Sequence, residues 1–240
     1  TDLICAANAI CHVPDLKDLI KGIDFLLSKN GIFIFEEPYL GSMYKKVSYD
    51  QIYDEHIFMF SVNSIKKIFK LYNFDLIEVL PQTTHGGSMR YVLAREGAYK
   101  IKKSVQNNLN KEKIKNIDNI KGCLNFKKNC EKSKKKLNNK INSIIKSGKN
   151  IAGYAATSKS TTILNYCNID YKKIDFICDT TPEKIGKYTP GTHIPVVSVD
   201  YFKKKIPHTT FLFAWNHKKE IFKKEKKIIK KTKWIAHIKI

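Results

Sequence analysis

The stretch Asp2-Leu-Ile-Cys-Ala-Ala-Asn-Ala-Ile-Cys11 opens an alternation of strands and helices that decides the fold. This run has the length and the continuous hydrophobicity of a buried parallel strand. A helix follows, because Pro14 and Asp15 suit a first helical turn and apolar residues then recur with a 3.6-residue period as far as Leu27. Residues 31–36 form a second strand. A strand, a helix and a strand in this order require a right-handed crossover and predict an α/β fold.

The rest of the chain continues the alternation in two parts. In the first half, the pattern predicts a helix over 61–72 and strands over 74–80 and 88–95. In the second half, it predicts strands at 150–155, 173–179, 193–197, 209–215 and 233–238, and helices at 158–167 and 218–231. Residues 98–149 between them read as one or two long helices. We therefore predict three parts, residues 1–97, a helical connector over 98–148, and residues 149–240.

The formal net charge of +22 raises the question of a nucleic-acid partner. Residues 100–149 hold 16 lysines and three acids, and residues 218–239 hold ten lysines and two acids, so these two stretches carry nearly all of the excess. Both are predicted helix surfaces, and they lack the interleaved aromatic and arginine residues that read bases. This placement favours solvated helix faces over a nucleic-acid site, although a polyanion site on the same helices stays an alternative.

Six cysteines, at positions 5, 11, 123, 130, 167 and 178, show no C-x-x-C motif and no paired metal-ligand spacing. Reduced thiols in a cytoplasmic protein are therefore expected, with Cys167 and Cys178 as small core residues. No stretch reaches the roughly 18 apolar residues of a membrane span. The chain begins at Thr1 within an apolar run and without a signal-peptide pattern, so we expect it to start inside a domain.

The densest chemistry lies in residues 52–61, where Tyr53, Asp54, Glu55 and His56 are consecutive. An imidazole takes a proton near neutral pH, a carboxylate can orient it, and a phenol can donate to a developing oxyanion. The apolar residues Ile57, Phe58 and Phe60 are expected to anchor this cluster against a core. The alternative is an ordinary loop with solvated acids and a partly buried histidine.

Further polar residues follow predicted strands. Asn8 interrupts the first strand and His12 follows it, and His85-Gly86-Gly87 joins two later strands, where the glycines either let a ligand approach the backbone or form a plain hairpin turn. The turn over residues 153–159 leads from a strand into a helix, where free backbone N–H groups and a lysine favour an anion such as phosphate. It lacks the spacing of a P-loop.

The motifs are more specific in combination than singly. They are Ala7-Asn8 with His12, Phe35-Glu-Glu-Pro-Tyr39, Gln51-Ile-Tyr-Asp-Glu-His56, His85-Gly-Gly with Arg90-Tyr91, Gly153-Tyr-Ala-Ala-Thr-Ser-Lys159, Asp179-Thr-Thr-Pro-Glu-Lys184, Thr189-Pro-Gly-Thr-His-Ile-Pro195 and Phe213-Ala-Trp-Asn-His217. Together they resemble the S-adenosylmethionine-dependent C-methyltransferases that act on nucleotide-linked keto-deoxysugars. The resemblance implies the second half of a class I methyltransferase Rossmann-like domain, a helical connector, and a second Rossmann-like α/β domain that helps to hold the nucleotide sugar.

The resemblance also implies roles for individual residues. His56 is expected to be the general base that removes the C3 proton of a 4-keto sugar, with Tyr53 and Glu55 positioning it or stabilising the enolate, and His12 polarising the ketone. Asn8 is expected near the amino-acid part of S-adenosylmethionine. The expected contacts to sugar and diphosphate are His85, Arg90, Tyr154, Thr157, Lys159, Asn216 and His217.

The sequence departs from that family at its start. Family members carry an N-terminal cysteine-rich zinc module and a glycine-rich cofactor loop, and this chain begins after both, so zinc is expected only in that missing module and the six cysteines do not replace its ligands. Two other functions remain open. The first is a nucleotide-sugar-binding fragment without activity of its own. The second is a polyanion-binding protein that uses its lysine-rich helices.

Overall fold

A computed structural model describes residues 1–239 of the chain. The residues form two compact units, the first made of residues 1–48 and 54–127 and the second of residues 49–53 and 128–240. Ile240, at the end of this second range, lies outside the described residues. The predicted division at residues 97 and 148 stays a prediction. Among the described residues, no helix is both long and hydrophobic enough to cross a membrane.

The first unit is built on a four-stranded sheet in the order β1-β2-β4-β3. Its strands are β1 (Leu3–Ala7), β2 (Ile32–Pro38), β3 (Phe74–Gln82) and β4 (Ser88–Arg95). The first two are parallel, as the predicted crossover requires, and β4 runs antiparallel to both of its neighbours. Its helices are α1 (Leu16–Leu26), α2 (Leu40–Lys46), α3 (Val62–Lys70) and α4 (Lys103–Lys115).

The core of the first unit is aromatic and lies on one face of this sheet. Phe33, Phe35 and Tyr91 are almost fully buried, and the rings of Phe35 and Tyr91 stack 4.9 Å apart across β2 and β4. Helix α3 packs against them through Ile65 and Phe69. Ser61 caps that helix, as its sequence position suggests, in a reciprocal capping box with Ser64.

The second unit contains a five-stranded parallel sheet in the order β7-β6-β5-β8-β9. Its strands are β5 (Ile151–Tyr154), β6 (Ile177–Asp179), β7 (Val196–Ser198), β8 (Thr209–Leu212) and β9 (Lys233–Ile235). Helices α6 (Ser158–Cys167), α7 (Val199–Lys204) and α8 (Lys218–Lys224) follow β5, β7 and β8. This is the doubly wound pattern that the sequence predicts, in which the strand order reverses beside the first strand.

The long helix α5 (Ile120–Lys146) begins in the first unit and ends in the second. With α4, it accounts for the helices predicted between residues 98 and 149. Cys167 and Cys178 are fully buried in the second unit, as expected, and all six cysteines are free thiols.

The first predicted strand is wrong in its length and its burial. Strand β1 ends at Ala7, because Asn8 adopts a left-handed backbone conformation with φ of 50° and a 3-10 turn follows over Ile10–His12. Its side chains alternate between exposed and half-buried, since β1 lies at an edge of the four-stranded sheet. A continuous apolar run therefore did not indicate burial on both faces here.

Two helices also differ from the prediction. The sequence predicts a linker where the structure has helix α2. The seven residues of this helix are too few to establish a helical period. The helix predicted over 218–231 ends at Lys224, and a separate 3-10 turn covers Ile229–Lys231. Between them, the buried Glu225 carboxylate accepts a hydrogen bond from the Tyr154 hydroxyl.

Candidate active site

His12 and His56, both in the first unit, lie against each other. Their imidazole rings are 5.2 Å apart between centroids and nearly perpendicular, with an interplanar angle of 81°. Both side chains are half-buried. Family resemblance predicts that these histidines share one site, and the structure brings the two rings together.

Backbone contacts hold the pair in register. The 3-10 turn over Ile10–His12 follows β1, and the N–H of Phe58 donates a 3.2 Å hydrogen bond to the carbonyl of Cys11 in that turn. Phe58 packs on the aromatic core, and its ring stacks on that of the buried Phe60. The segment that carries His56 is thus fixed to the turn that carries His12, as a catalytic pair requires.

Glu37 supports the same turn from beneath. Its side chain is fully buried at the end of β2, and its Oε1 accepts hydrogen bonds from the N–H groups of Ala9 at 2.9 Å and Ile10 at 2.7 Å. Burial, and then the facing Glu37 carboxylate, raises the pKa of the Cys11 thiol. A buried acid with two backbone donors is a rigid support, because moving the turn would leave that acid unpaired.

The remaining residues of the 52–61 segment differ in their exposure. Glu55 and Asp54 are exposed, and Tyr53 is half-buried and belongs to the second unit. Ile57 is 48% exposed, so its expected role as a hydrophobic anchor is wrong, and Phe58 and Phe60 take that role alone. The backbone of Phe58 bonds the turn at Cys11, and the backbone of Phe60 bridges Tyr39, the residue after β2.

Asn8 is exposed at the carboxyl end of β1, and its backbone N–H donates to the carbonyl of Glu36. This is the sheet edge at which open α/β sheets bind ligands. An exposed side-chain amide there suits the amino and carboxylate groups of an amino acid, so Asn8 fits the role expected of it beside S-adenosylmethionine.

Arg90 has a partner within its own chain. Its guanidinium donates to Glu36 Oε2 from Nη2 at 2.9 Å, and Thr84 donates to the other oxygen of the same carboxylate.

His85 is half-buried and has φ of 50° within the 3-10 turn Thr84–Gly86. Gly87 has φ of 128°, and a Cβ atom there would lie 2.5 Å from Ser42 Oγ, so this glycine is required by a close approach as well as by its conformation.

A cavity of about 300 Å³ lies in the second unit at the N-terminus of α6. Its lining includes Thr157, Ser158, Lys184, Lys187 and Tyr188. Thr157 caps α6 by accepting from Ser160 N, which leaves the first helical N–H groups at the cavity. A helix N-terminus beside two lysines is suited to a phosphate group.

Asp179 holds the turn between β5 and α6 by hydrogen bonds to the backbone. Its carboxylate accepts from the backbone N–H of Ala156 at 2.7 Å and of Thr181 at 2.8 Å. Lys184 Nζ in turn donates to the Ala156 carbonyl at 2.8 Å. These hydrogen bonds connect the carboxyl ends of β5 and β6, and they hold Ala156 and Lys184, which both line the cavity.

Lys159 is buried, and it does not line this cavity. Burial lowers its pKa, and the nearby Asp50 carboxylate opposes that shift. Asp50 is itself fully buried and accepts from Trp215 Nε1 at 2.7 Å, with His237 Nε2 at 3.1 Å from its other oxygen. Burial alone would raise the pKa of Asp50, but His237, Lys159 and Trp215 outweigh it and the pKa is lowered.

The other predicted substrate contacts in the second unit differ in their exposure. Tyr154 is a core residue whose hydroxyl donates to Glu225 at 3.0 Å, and burial raises its pKa. His217 is exposed and faces Glu220 at 3.2 Å. Asn216 is half-buried, and its Oδ1 has no hydrogen-bond partner among the described residues.

Two features of the site were beyond sequence reasoning. Cys11, His12 and His56 place one potential metal-ligand atom each within 4.8 Å of one another, although the cysteine spacing showed no metal motif. The sequence does not indicate the role of Asp50, because its partners lie more than 100 residues further along the chain. Neither is visible as a local pattern, since both depend on tertiary contacts.

Comparison with known proteins identifies the family. Residues 83–238 match the family model described as the C-methyltransferase C-terminal domain, and residues 1–79 match a methyltransferase domain. The first match alone covers more than half of the chain. The chain belongs to the C-methyltransferase family. The predicted α/β fold with a Rossmann-like methyltransferase domain is thereby confirmed.

A relative within this family is the C-methyltransferase NovU of Streptomyces niveus. It is 29% identical over 228 residues, which cover 95% of this chain and 54% of the relative. The chain therefore spans about half the length of the curated relative that it matches. The family resemblance read from the motifs is confirmed, whereas the roles of the individual residues remain predictions.

Proposed function

We propose that the protein containing this chain is an S-adenosylmethionine-dependent methyltransferase that methylates carbon C3 of a nucleoside-diphosphate-linked 4-keto-deoxysugar. The observation that supports this most strongly is the His12–His56 pair in a chain of the C-methyltransferase family. Methylation of carbon needs a carbon nucleophile, and a carbon next to a ketone becomes one when a base removes its proton.

His56 is the proposed base. Its imidazole is half-buried, and the hydrogen bond between Phe58 and Cys11 holds the segment that carries it, so the ring is presented in a fixed position. His12, at the adjoining turn, is proposed to donate to the ketone oxygen and to stabilise the enolate as the C3 proton moves to His56. Tyr53 and Glu55 are proposed to assist from the same segment.

S-adenosylmethionine supplies an electrophilic methyl group on a sulfonium centre. Asn8 is the residue of this chain proposed to hold its amino-acid part, from the carboxyl end of β1. The contribution of the chain to the transfer step is then to place C3 in line with the donor and to exclude water, since orientation supplies much of the rate enhancement in group transfer.

The second unit is proposed to bind the nucleoside diphosphate. We assign the phosphate contacts to the N-terminus of α6 with Thr157, and to Lys184 and Lys187, all of which line the cavity. Two phosphates carry negative charge that lysine side chains and helical N–H groups balance. Lys159 is proposed to support this turn through Asp50.

Methyl transfer from isotopically labelled S-adenosylmethionine tests the proposal. The whole protein that contains this chain is incubated with thymidine diphosphate 4-keto-deoxysugars, and the product is analysed by mass spectrometry and NMR. We expect one methyl group on C3. A methyl group on oxygen, or no methylated product from any of these sugars, would contradict the proposal.

A nucleotide-sugar-binding role without activity is the second candidate, and the cavity at α6 is the observation that favours it. Calorimetry on the 240-residue chain distinguishes the two. Binding of a thymidine diphosphate sugar with no binding of S-adenosylmethionine supports the second candidate for the chain by itself. Binding of both supports the first.

A further inference from the structure

Three side chains of the first unit converge on one point. The potential ligand atoms of Cys11, His12 and His56 all lie within 4.8 Å of one another. Bond lengths of about 2.3 Å to sulfur and about 2.0 Å to nitrogen place the ligands of a tetrahedral zinc ion roughly 3.5 Å apart. The ligand atoms therefore have to move closer together when an ion binds, and the two histidines that carry them are only half-buried.

The ligand types limit which ion would bind. One thiol and two imidazoles suit Zn²⁺, Co²⁺ and related transition metals, whereas Mg²⁺ and Ca²⁺ prefer oxygen ligands, which the cluster itself does not provide. Three protein ligands would leave a fourth position for water or substrate.

The surroundings make the cluster rigid on one side. Cys11 is 1% exposed, and its carbonyl accepts from the N–H of Phe58, which ties the cysteine to the segment that carries His56. Glu37 fixes the turn on which Cys11 and His12 lie. Supports of this kind lower the cost of arranging ligands around an ion.

We propose that Cys11, His12 and His56 form a binding site for a transition-metal ion such as Zn²⁺, and that the bound ion inhibits the enzyme. On binding, a metal–sulfur bond forms and the thiol proton passes to solvent, with no change of oxidation state. The second part rests on the proposed function, because an imidazole nitrogen that ligates the ion has no lone pair left to accept the C3 proton.

Cobalt binding tests the site without any assay of activity. Co²⁺ is added to the metal-free 240-residue chain, and the thiolate-to-cobalt charge-transfer absorption is followed and then displaced with Zn²⁺. We expect one equivalent to bind and the band to vanish in Cys11→Ser. We also expect His12→Gln to weaken binding by about 100-fold, because it removes one of three ligands.

The matched control is Cys5→Ser, which removes an exposed thiol from β1 outside the cluster and should leave the band unchanged. Circular dichroism checks that each variant is folded. If Cys11→Ser is unfolded, His12→Gln and His56→Gln decide the outcome. The site is refuted if the wild type shows no band, or if a folded Cys11 or His12 variant keeps wild-type affinity.

Inhibition is measured separately in the whole protein. We expect added Zn²⁺ to block solvent-deuterium exchange at the sugar C3 in the wild type and not in Cys11→Ser, which keeps His56 but lacks one metal ligand. If the chain binds cobalt through Cys11 but the protein shows no exchange even without metal, the metal site is supported and the proposed function is contradicted. Exchange that continues with the site fully occupied would refute inhibition.

Discussion

The ring of His12 meets the ring of His56 edge to face, with 5.2 Å between their centroids. The first histidine ends the turn after β1, and the second follows an exposed stretch of loop, so only the fold brings them together. The turn is held by the buried Glu37 and the loop by the half-buried Phe58, which packs against the aromatic core.

Asp50→Asn should destabilise the second unit. The substitution keeps an oxygen for Trp215 Nε1 but leaves the buried Lys159 without its acidic neighbour, and removing one member of a buried charged pair costs about 3 kcal/mol. Urea unfolding followed by tryptophan fluorescence measures the loss. The double variant Asp50→Asn/Lys159→Met should recover part of it, because the buried ammonium group that lost its acidic neighbour is then removed as well. Strictly additive losses would show that the two residues are not coupled.

Acid should unfold the second unit partly through Asp50. Its pKa is lowered in the folded chain, so its carboxylate contributes stability above the ordinary aspartate pKa of about 3.9. That contribution is lost as the pH falls through the lowered folded value. Unfolding free energies measured from pH 6 to pH 2 should therefore fall less steeply below about pH 4 in Asp50→Asn than in the wild type. Parallel curves would show that Asp50 is not the group responsible.

Gly87→Ala should destabilise the first unit by about 1–3 kcal/mol, because φ of 128° strains any other residue and the new Cβ meets Ser42 Oγ. Gly22→Ala is the control, since that glycine lies within α1 and has no heavy atom within 4 Å of the added Cβ. The control should be neutral or gain up to about 1 kcal/mol from helix propensity. Thermal unfolding of both variants provides the comparison, and equal melting temperatures would contradict the expected strain.

Lys187→Ala should weaken binding of thymidine diphosphate by about 10- to 150-fold, because a charge-assisted hydrogen bond to phosphate contributes about 1.5–3 kcal/mol. Lys172→Ala removes an exposed lysine of the same unit that does not line the cavity, and it should have no effect. Calorimetry gives both affinities. Equal losses in the two variants, with a steep dependence on salt, would instead indicate general polyanion binding.

The α/β class, the parallel pairing of β1 with β2 and the bounds of β4 and α6 were readable from the sequence. Periodicity and capping residues determine such features locally. The early end of β1 at Asn8 was not readable, because a left-handed residue inside an apolar run leaves no hydrophobic signal. Helix α2 was missed for the related reason that seven residues are too few to show a period.

The candidate site divides in the same way. The motif at residues 52–56 identified His56, and family resemblance added His12. The supporting residues Glu37, Cys11 and Asp50 were not identified, since a buried acid or thiol becomes informative only when its partners are known. The turn over residues 153–159 likewise predicts that Lys159 contacts phosphate, whereas in the structure Lys159 is buried near Asp50.

Hydrogen exchange at the sugar C3 in the His56→Gln variant of the whole protein tests most directly whether His56 is the base. The substrate is incubated in D₂O without methyl donor, and deuterium at C3 is followed by NMR, while calorimetry measures nucleotide binding. We predict that exchange is lost in His56→Gln and that binding of thymidine diphosphate stays within about twofold of the wild type, because the proposed phosphate contacts lie in the second unit. Exchange at the wild-type rate in this variant would show that His56 is not the base.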